Sequence, residues 1–386
     1  MIKKLFVILL GFVSVYYSKA QEDDVLGRQN ASIITTVPFL TIAPDSRSGA
    51  MGDAGVATSP DLNSQHWNAA KYMFMAEKAG VGLSYSPWLK GIGVQDLNLL
   101  YLSGYYKFDN RQAISGALKY FNLGTIDYTN QIGESAGTGR PNEFAVDLGY
   151  SRLFSDYFSM ALVFRFIYSD IAGGKGAINN IQYQPGISVA ADYGIYYQKP
   201  FQISKKDAEW AFGLNISNIG VKMAYSEGDE KEFIPTNLRL GGRITIDLDE
   251  YNSLSATLDL NKLLVPTPPL RDPDNDSIIV KGKDDDVGTI QGMIQSFYDA
   301  PDGFSEEMQE IMISFGIEYW YRKQFAIRAG YFHEHEKKGD RKYLTAGVGL
   351  RYNIFSIDFS YLIPTEDGRN SPLANTMRFT LGFTFE

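Results

Sequence analysis

Across residues 81–385, apolar positions alternate with small or polar ones at a period of two. Phe144, Val146, Leu148 and Tyr150 alternate with Ala145, Asp147, Gly149 and Ser151. Met160, Leu162, Phe164, Phe166 and Tyr168 form one face of the next such run. The same beat returns at Trp210, Phe212, Leu214 and Ile216, at Leu254, Ala256, Leu258 and Leu260, at Leu344 to Tyr352, and at Met377 to Phe385. This period belongs to strands with two unlike faces. About fourteen strands are expected, at 81–87, 95–108, 111–121, 143–155, 158–170, 185–198, 208–217, 235–248, 252–262, 308–322, 324–333, 341–352, 354–362 and 376–385. Most run to about 9–13 residues, enough for a tilted strand to cross a bilayer.

The two faces differ in an informative way. A soluble sheet hides its apolar face and covers the other with charge. Here one face is continuous and rich in Tyr and Phe, and the opposite one is mostly Gly, Ser, Ala and Thr. Lipid outside and a crowded lumen inside account for both. The expected fold is an all-β membrane protein, an about 14-stranded antiparallel transmembrane β-barrel with an N-terminal plug or hatch.

The connections alternate in length. Asp109-Asn110, 155–157, 249–251, Arg322-Lys323 and Asn353 read as tight turns, and 199–207 as moderately short. The stretches 122–142, 171–184, 218–234, 263–307 and 363–375 are long. Outer-membrane barrels keep turns short on the periplasmic side and loops long outside, so the long set is expected outside the cell. An even strand count then puts both termini in the periplasm. Within 263–307 come Pro266, Pro268 and Pro269, the acidic runs "DPDND" (272–276) and "KDDD" (283–286), and a predicted short amphipathic helix bearing Ile290, Met293, Ile294 and Phe297.

Composition and the N-terminus narrow the picture. Lys3 and Lys4, the apolar run 5–17 and Ser18-Lys19-Ala20 predict a signal peptide over 1–20. Residues 21–78 are then the hatch, because about fourteen strands enclose more space than wall side chains fill. The barrel takes 79–386. Without its signal the chain carries 33 basic and 45 acidic residues, a net −12, which argues against nucleic acid as a partner. There is no cysteine, hence no disulfide, thiol chemistry or lipoprotein anchor. No cofactor is expected.

The stretch "APDSRSGAMGDAGVATSPDLNSQHWNAAKY" (43–72) spaces Gly49, Gly52 and Gly55 three apart. A phosphate loop would continue into Lys-Ser/Thr or meet a downstream acid, and neither follows. Close backbone packing inside a barrel is the expected role. Arg47, Gly49, Gly52, Asp53, Gly55, Trp67 and Asn68 are the candidate hatch–barrel contacts. By alternation Asp147, Arg165, Asp192, Arg239, Arg243, Asp259, Glu318, Arg328, Arg351, Asp358 and Arg378 point into the lumen. Ion selectivity is one use for such charges; pairing with each other and with the hatch is the other.

"DSRSGAMGDAGVA" followed by "NAAKY" resembles the N-terminal signature of the FadL-like outer-membrane barrels. "SQHWNAAKY", which lacks the proline of the wider family, and "NISNIG" (215–220) are similar to the PorV (LptO) family of the Bacteroidota type IX secretion system. The resemblance runs along essentially the whole chain. It implies an integral outer-membrane protein, not an enzyme, surrounded by lipid and lipopolysaccharide. It further implies binding to a giant translocon barrel of the Sov/SprA type. Secreted cargo would be captured by its C-terminal signal domain and shuttled to a PorU-type sortase attachment complex. The loops 122–142, 218–234 and 263–307 are then the expected cargo platform.

Two other functions are open to the sequence. A FadL-type transporter of hydrophobic small molecules needs an apolar pocket and an opening in the wall. A lipopolysaccharide deacylase needs a nucleophile beside a base, and only His66, His333 and His335 supply a histidine. His333 and His335 share a strand face but lack a third metal ligand. The acidic runs lack the EF-hand glycine and terminal Glu.

Overall fold

The computed structural model describes residues 32–88, 96–129, 132, 135–174, 177–178, 181–226, 228, 230–365 and 376–386. The signal peptide and the first residues of the hatch lie outside them. Fourteen strands form one closed antiparallel barrel: β1 (Ala79–Pro87), β2 (Leu97–Lys107), β3 (Gln112–Leu123), β4 (Asn142–Ser155), β5 (Phe158–Asp170), β6 (Gly186–Ile203), β7 (Lys206–Gly220), β8 (Asn237–Asp247), β9 (Asn252–Leu263), β10 (Met312–Tyr321), β11 (Phe325–His333), β12 (Lys342–Tyr352), β13 (Phe355–Pro364) and β14 (Met377–Phe385). Each strand pairs with its sequence neighbour, and β1 closes on β14 with Gly82 opposite Gly382. Closure satisfies every edge, which lipid demands because it offers backbone groups no hydrogen bond.

Alternation places the side chains. In β1, Val81, Leu83 and Tyr85 are exposed, whereas Ser84 and Ser86 are buried in the lumen. In β4 and β5, Val146, Leu148, Leu162 and Phe164 face out, whereas Asp147, Val163 and Arg165 face in. The exposed apolar residues make the outer belt. No helix among the described residues is long and apolar enough to cross a membrane.

Six short connections lie at one end of the barrel and seven longer ones at the other. Three details differ from the sequence expectation. The 199–207 connection is not a loop: β6 and β7 run through it to a two-residue turn at Ser204-Lys205, both in left-handed conformation (φ 51° and 68°), as a twisted hairpin requires. Beyond Tyr197, which pairs with Phe158, this hairpin outruns its neighbour β5, so no lipid selects an apolar face there. The tenth strand starts at Met312, and Phe304–Gln309 before it is helical. The long connections are also not bare loops. Ile126–Thr129 pairs with Ser135–Gly139, and Leu270–Asp272 with Asn275–Lys281.

Phe164 lies in the middle of β5 and is 66% exposed. Phe164→Arg is expected to cost about 2–4 kcal/mol, the depth-dependent penalty for a cation on a lipid-facing barrel position. Denaturant titration of the barrel refolded into phospholipid vesicles measures it. An unchanged midpoint would mean this face does not meet lipid.

Candidate functional site: the plugged lumen and its roof

The hatch passes through the lumen from end to end. At the long-connection end Val37, Phe39 and Leu40 pack with Leu99, Phe121, Ala145, Ile167 and Ile234 of the wall and adjoining loop. The chain continues through a short helix, Ser46–Gly49, whose N-terminus is capped by Asp45 accepting from Ser48 N at 2.9 Å. It turns again at Ser64–Trp67 and Ala69–Phe74. At the short-turn end Lys107 Nζ donates to Met75 O at 2.8 Å. On the way it bonds to strands all round the circumference. Ser103 (β2), Ser151 (β4) and Ser159 (β5) donate to Leu62, Ala69 and Ala70 carbonyls. Asn68 Nδ2 donates to Ile195 O of β6 at 2.7 Å, and Ser46 N to Thr380 of β14 at 3.0 Å. Bonds on opposite walls are only available to a segment inside.

The strongest of these contacts are ionic. The Arg47 guanidinium donates through Nε and Nη2 to Glu318 of β10 at 2.9 and 2.7 Å, and through Nη1 to Asp61 at 2.8 Å. Arg328 of β11 donates to the same Glu318 at 2.7 Å and to Asp358 of β13 at 2.6 Å. Asp53 accepts from Arg378 of β14 at 3.0 Å and from Tyr343 of β12 at 2.6 Å. Asp259 of β9 accepts from Gly55 N and Val56 N at 2.6 and 2.8 Å. Where charge does not join hatch and wall, bare backbone does. Gly52 adopts φ 67° against Tyr331, and a Cβ on Gly330 would collide with Met51 and Gly52. Gly49 lies against Arg378, and Gly55 against the Trp67 ring. Trp67 Nε1 donates to Asp45 at 2.7 Å.

The other lumen charges sort differently. Arg165 bridges Asp147 (2.7 Å) and Asp192 (3.0 Å). Arg243 reaches Glu209 at 2.5 Å and the Ala57 carbonyl at 3.2 Å. Arg351 stacks on Trp320 at 4.4 Å but is exposed at the short-turn mouth, because it stands next to the hairpin at Asn353. Arg239 lies over the Trp67 ring at 5.2 Å. Sequence reasoning did not single out Lys71, which donates to Gly55 O and Thr58 inside the hatch, or Lys119, which donates to Leu40 and Ile42 carbonyls. Lys119 was within reach: it follows Leu118 in β3, so alternation alone turns it inward.

Residues 264–311 form a braced roof at the long-connection end. Lys262, at the end of β9, donates to Glu307 (2.9 Å) and Glu310 (2.5 Å). Lys338 donates to Glu306 (2.6 Å) and Glu310 (2.8 Å), and Thr267 to Glu310 (2.6 Å). The acidic run is partly paired: Arg271 meets Asp285 at 2.8 Å, and Lys222 meets Asp286 at 3.4 Å. The short helix is Thr289–Gln295, and its apolar face is turned out. Gly292 packs on Phe233 and Gln295 bonds to the Asp284 carbonyl, whereas Ile290 and Ile294 are 61% and 60% exposed. Phe304, Met308, Ile278 and Val280 are exposed on the same segment.

The three histidines stand apart in their contacts. His66 is buried edge-on to Trp67 and Tyr101. His333 approaches the Tyr331 hydroxyl at 3.4 Å, and His335 accepts from Lys337 N at 3.3 Å.

Between the hatch and the roof lies a cavity of ≈ 370 Å³. Strands β8, β9, β10, β11 and β12 wall it with Arg239, Asn261, Met312, Phe332 and Tyr343, and the hatch lines it with Ile33, Thr41, Asp53 and Trp67.

A family model described as "Type IX secretion system protein PorV" matches residues 26–270. No curated protein matches the sequence. Among solved structures, the P. putida toluene transporter TodX is 9% identical, with a TM-score of 0.51 over 89% of this chain and 98% of that one. The Ralstonia pickettii toluene transporter TbuX is 12% identical, with a TM-score of 0.45 over 89% and 98%. A Pseudomonas aeruginosa FadL homologue is 10% identical, with a TM-score of 0.44 over 92% and 100%. At such identities the likeness concerns the fold alone.

Two outcomes follow from this geometry. Glu318→Ala removes the carboxylate that Arg47 and Arg328 share, leaving them only Asp61 and Asp358, and breaking a buried pair from one side costs about 3–5 kcal/mol. The variant should therefore unfold earlier in a thermal melt; an unshifted melt would mean the hatch charges are hydrated. The second outcome concerns the roof. Burial pushes the Asp299 carboxyl up to about 7 from an ordinary 3.8; Thr267 N opposes the shift, and Glu307 and Glu310 add to it. The folded roof therefore holds a proton that the unfolded segment releases between about pH 4 and 7. The stability from this proton is full below pH 4 and is lost as pH rises through 7. Protection factors of the 264–311 amides, with the base-catalysed intrinsic exchange rate divided out, should be higher at pH 5 than at pH 8, and Asp299→Asn should flatten the difference.

Proposed function

The chain belongs to the PorV family of type IX secretion system proteins and is an integral outer-membrane β-barrel, and from that premise we propose that it is a cargo carrier working from its surface, not a pore or an enzyme. The long-connection end faces the cell exterior. There it captures exported proteins by their C-terminal signal domain. The outer wall docks on a giant translocon barrel of the Sov/SprA type, and the cargo passes on to a PorU-type sortase attachment complex.

The observation that carries this reading is the roof. Three of its carboxylates, Glu306, Glu307 and Glu310, are drawn inward to Lys262 and Lys338, whereas Ile278, Val280, Ile290, Ile294, Phe304 and Met308 are left outside. Solvent alone would favour the reverse, and exposed apolar patches mark interaction sites. A braced support suits recognition, because little order is lost on binding. The plugged lumen supports the same division of labour: ionic contacts fix the hatch, so cargo need not cross the barrel. The histidine contacts give no support to a serine- or cysteine-type acyl transfer: His333 meets the Tyr331 hydroxyl, and His335 accepts from a backbone N–H.

Ile290→Ser, Ile294→Ser and Phe304→Ser together should reduce capture of a cargo C-terminal domain by about tenfold or more, given the transfer energies of such side chains. A pull-down from detergent-solubilised outer membranes measures it, with heat-modifiable gel mobility reporting the intact barrel. Deleting residues from 122–142 or 218–234 extends the test. Undiminished capture after all three changes would remove the platform reading. Loss of hydrophobic small-molecule uptake instead would favour a transporter.

A further inference from the structure

We propose that the cavity between hatch and roof is a binding site for a carboxylate, with Arg239 as its anchor. This inference stands apart from cargo capture by the exposed roof residues, and its failure would leave that reading untouched.

Arg239 is 5% exposed and lines the cavity from β8, opposite Asn261 of β9. Its guanidinium lies over the Trp67 ring at 5.2 Å. With the Asn237 amide turned so that it donates to Lys262 O at 2.9 Å, the Asn237 oxygen accepts from Arg239 Nε at 3.3 Å. Among the described residues, no carboxylate forms an ion pair with Arg239. That sets it apart from the other charged groups around the cavity. Asp53 is paired with Arg378, Glu334 with Arg341, and Glu310 with Lys262 and Lys338.

A buried guanidinium without a directly paired carboxylate is costly, and it holds five donors in a fixed fork. That fork fits the two oxygens of a carboxylate. The Trp67 ring holds the plane of the guanidinium in place, as stacked arginines require. The rest of the lining is mixed. Asn261, Thr41 and Tyr343 offer hydrogen bonds, and Met312 and Phe332 offer apolar contact, so the carboxylate is expected at the end of a short stem carrying polar groups. A free small carboxylate and the terminal carboxylate of a peptide share that chemistry.

The test uses the full-length protein in an uncharged detergent, with tryptophan fluorescence and calorimetry as readouts. The probes are an acetylated tri-alanine peptide with a free C-terminus, the same peptide amidated, hexanoate and hexanamide. At least one acid should bind about tenfold or more tightly than its amide, the value of a charge-assisted contact. Arg239→Gln should remove that preference, and Arg239→Lys should restore part of it. The peptide acid binding more tightly than hexanoate identifies a chain terminus; the reverse identifies a small carboxylate. Failure of both acids to bind, equal binding of acids and amides, or a preference that survives Arg239→Gln would overturn the proposal. Should the Gln variant fail to fold, the acid–amide comparison on the unaltered protein decides by itself.

Discussion

A strand in lipid must find all its backbone partners on other strands, and everything else in this molecule follows from that demand. The wall can only close, and fourteen strands close around a space too wide for wall side chains to fill. The hatch fills it. Because the filling is a polypeptide, it brings its own N–H and C=O groups into a site without bulk water, and each needs a partner. The serine hydroxyls of β2, β4 and β5 that meet hatch carbonyls, and the Asp259 carboxylate that meets two hatch amides, answer that need.

The same constraint explains the unusual inner face. Large side chains there would leave no room for a second backbone, so glycine appears where the hatch crosses close, as at Gly330 against Gly52. Charge appears where the hatch must be held. Arg47, Glu318, Arg328 and Asp358 form a chain of alternating sign from hatch to wall, with each charge compensated by the next. Such a network contributes less to net stability than to fixing one arrangement, since misplacing any member leaves a buried charge.

At the long-connection end the rules relax, because water is available. Strand pairing persists there as short hairpins, and lysine–glutamate pairs brace the roof. An apolar surface is then left over, as on the helix Thr289–Gln295, which buries Gly292 and Gln295 and presents Ile290 and Ile294.

The alternation of residues determined the wall by itself. Lipid selects every second side chain along nearly every strand, so a period of two is written into the chain wherever a strand crosses the membrane, and strand number and sidedness of each residue can be read directly. The reading faltered at 199–207, where the hairpin outruns the lipid, and before Met312, where Glu306, Glu307 and Glu310 are buried for charge and break the apolar code. Tertiary structure alone decided the pairings: that Arg47 would meet Glu318, that Lys262 and Lys338 would share Glu310, and that Arg239 would lie over a tryptophan. These partners are far apart in the chain and are brought together only by the fold. A local pattern records which way a side chain points, and it carries no record of which distant residue waits on the other side of the lumen.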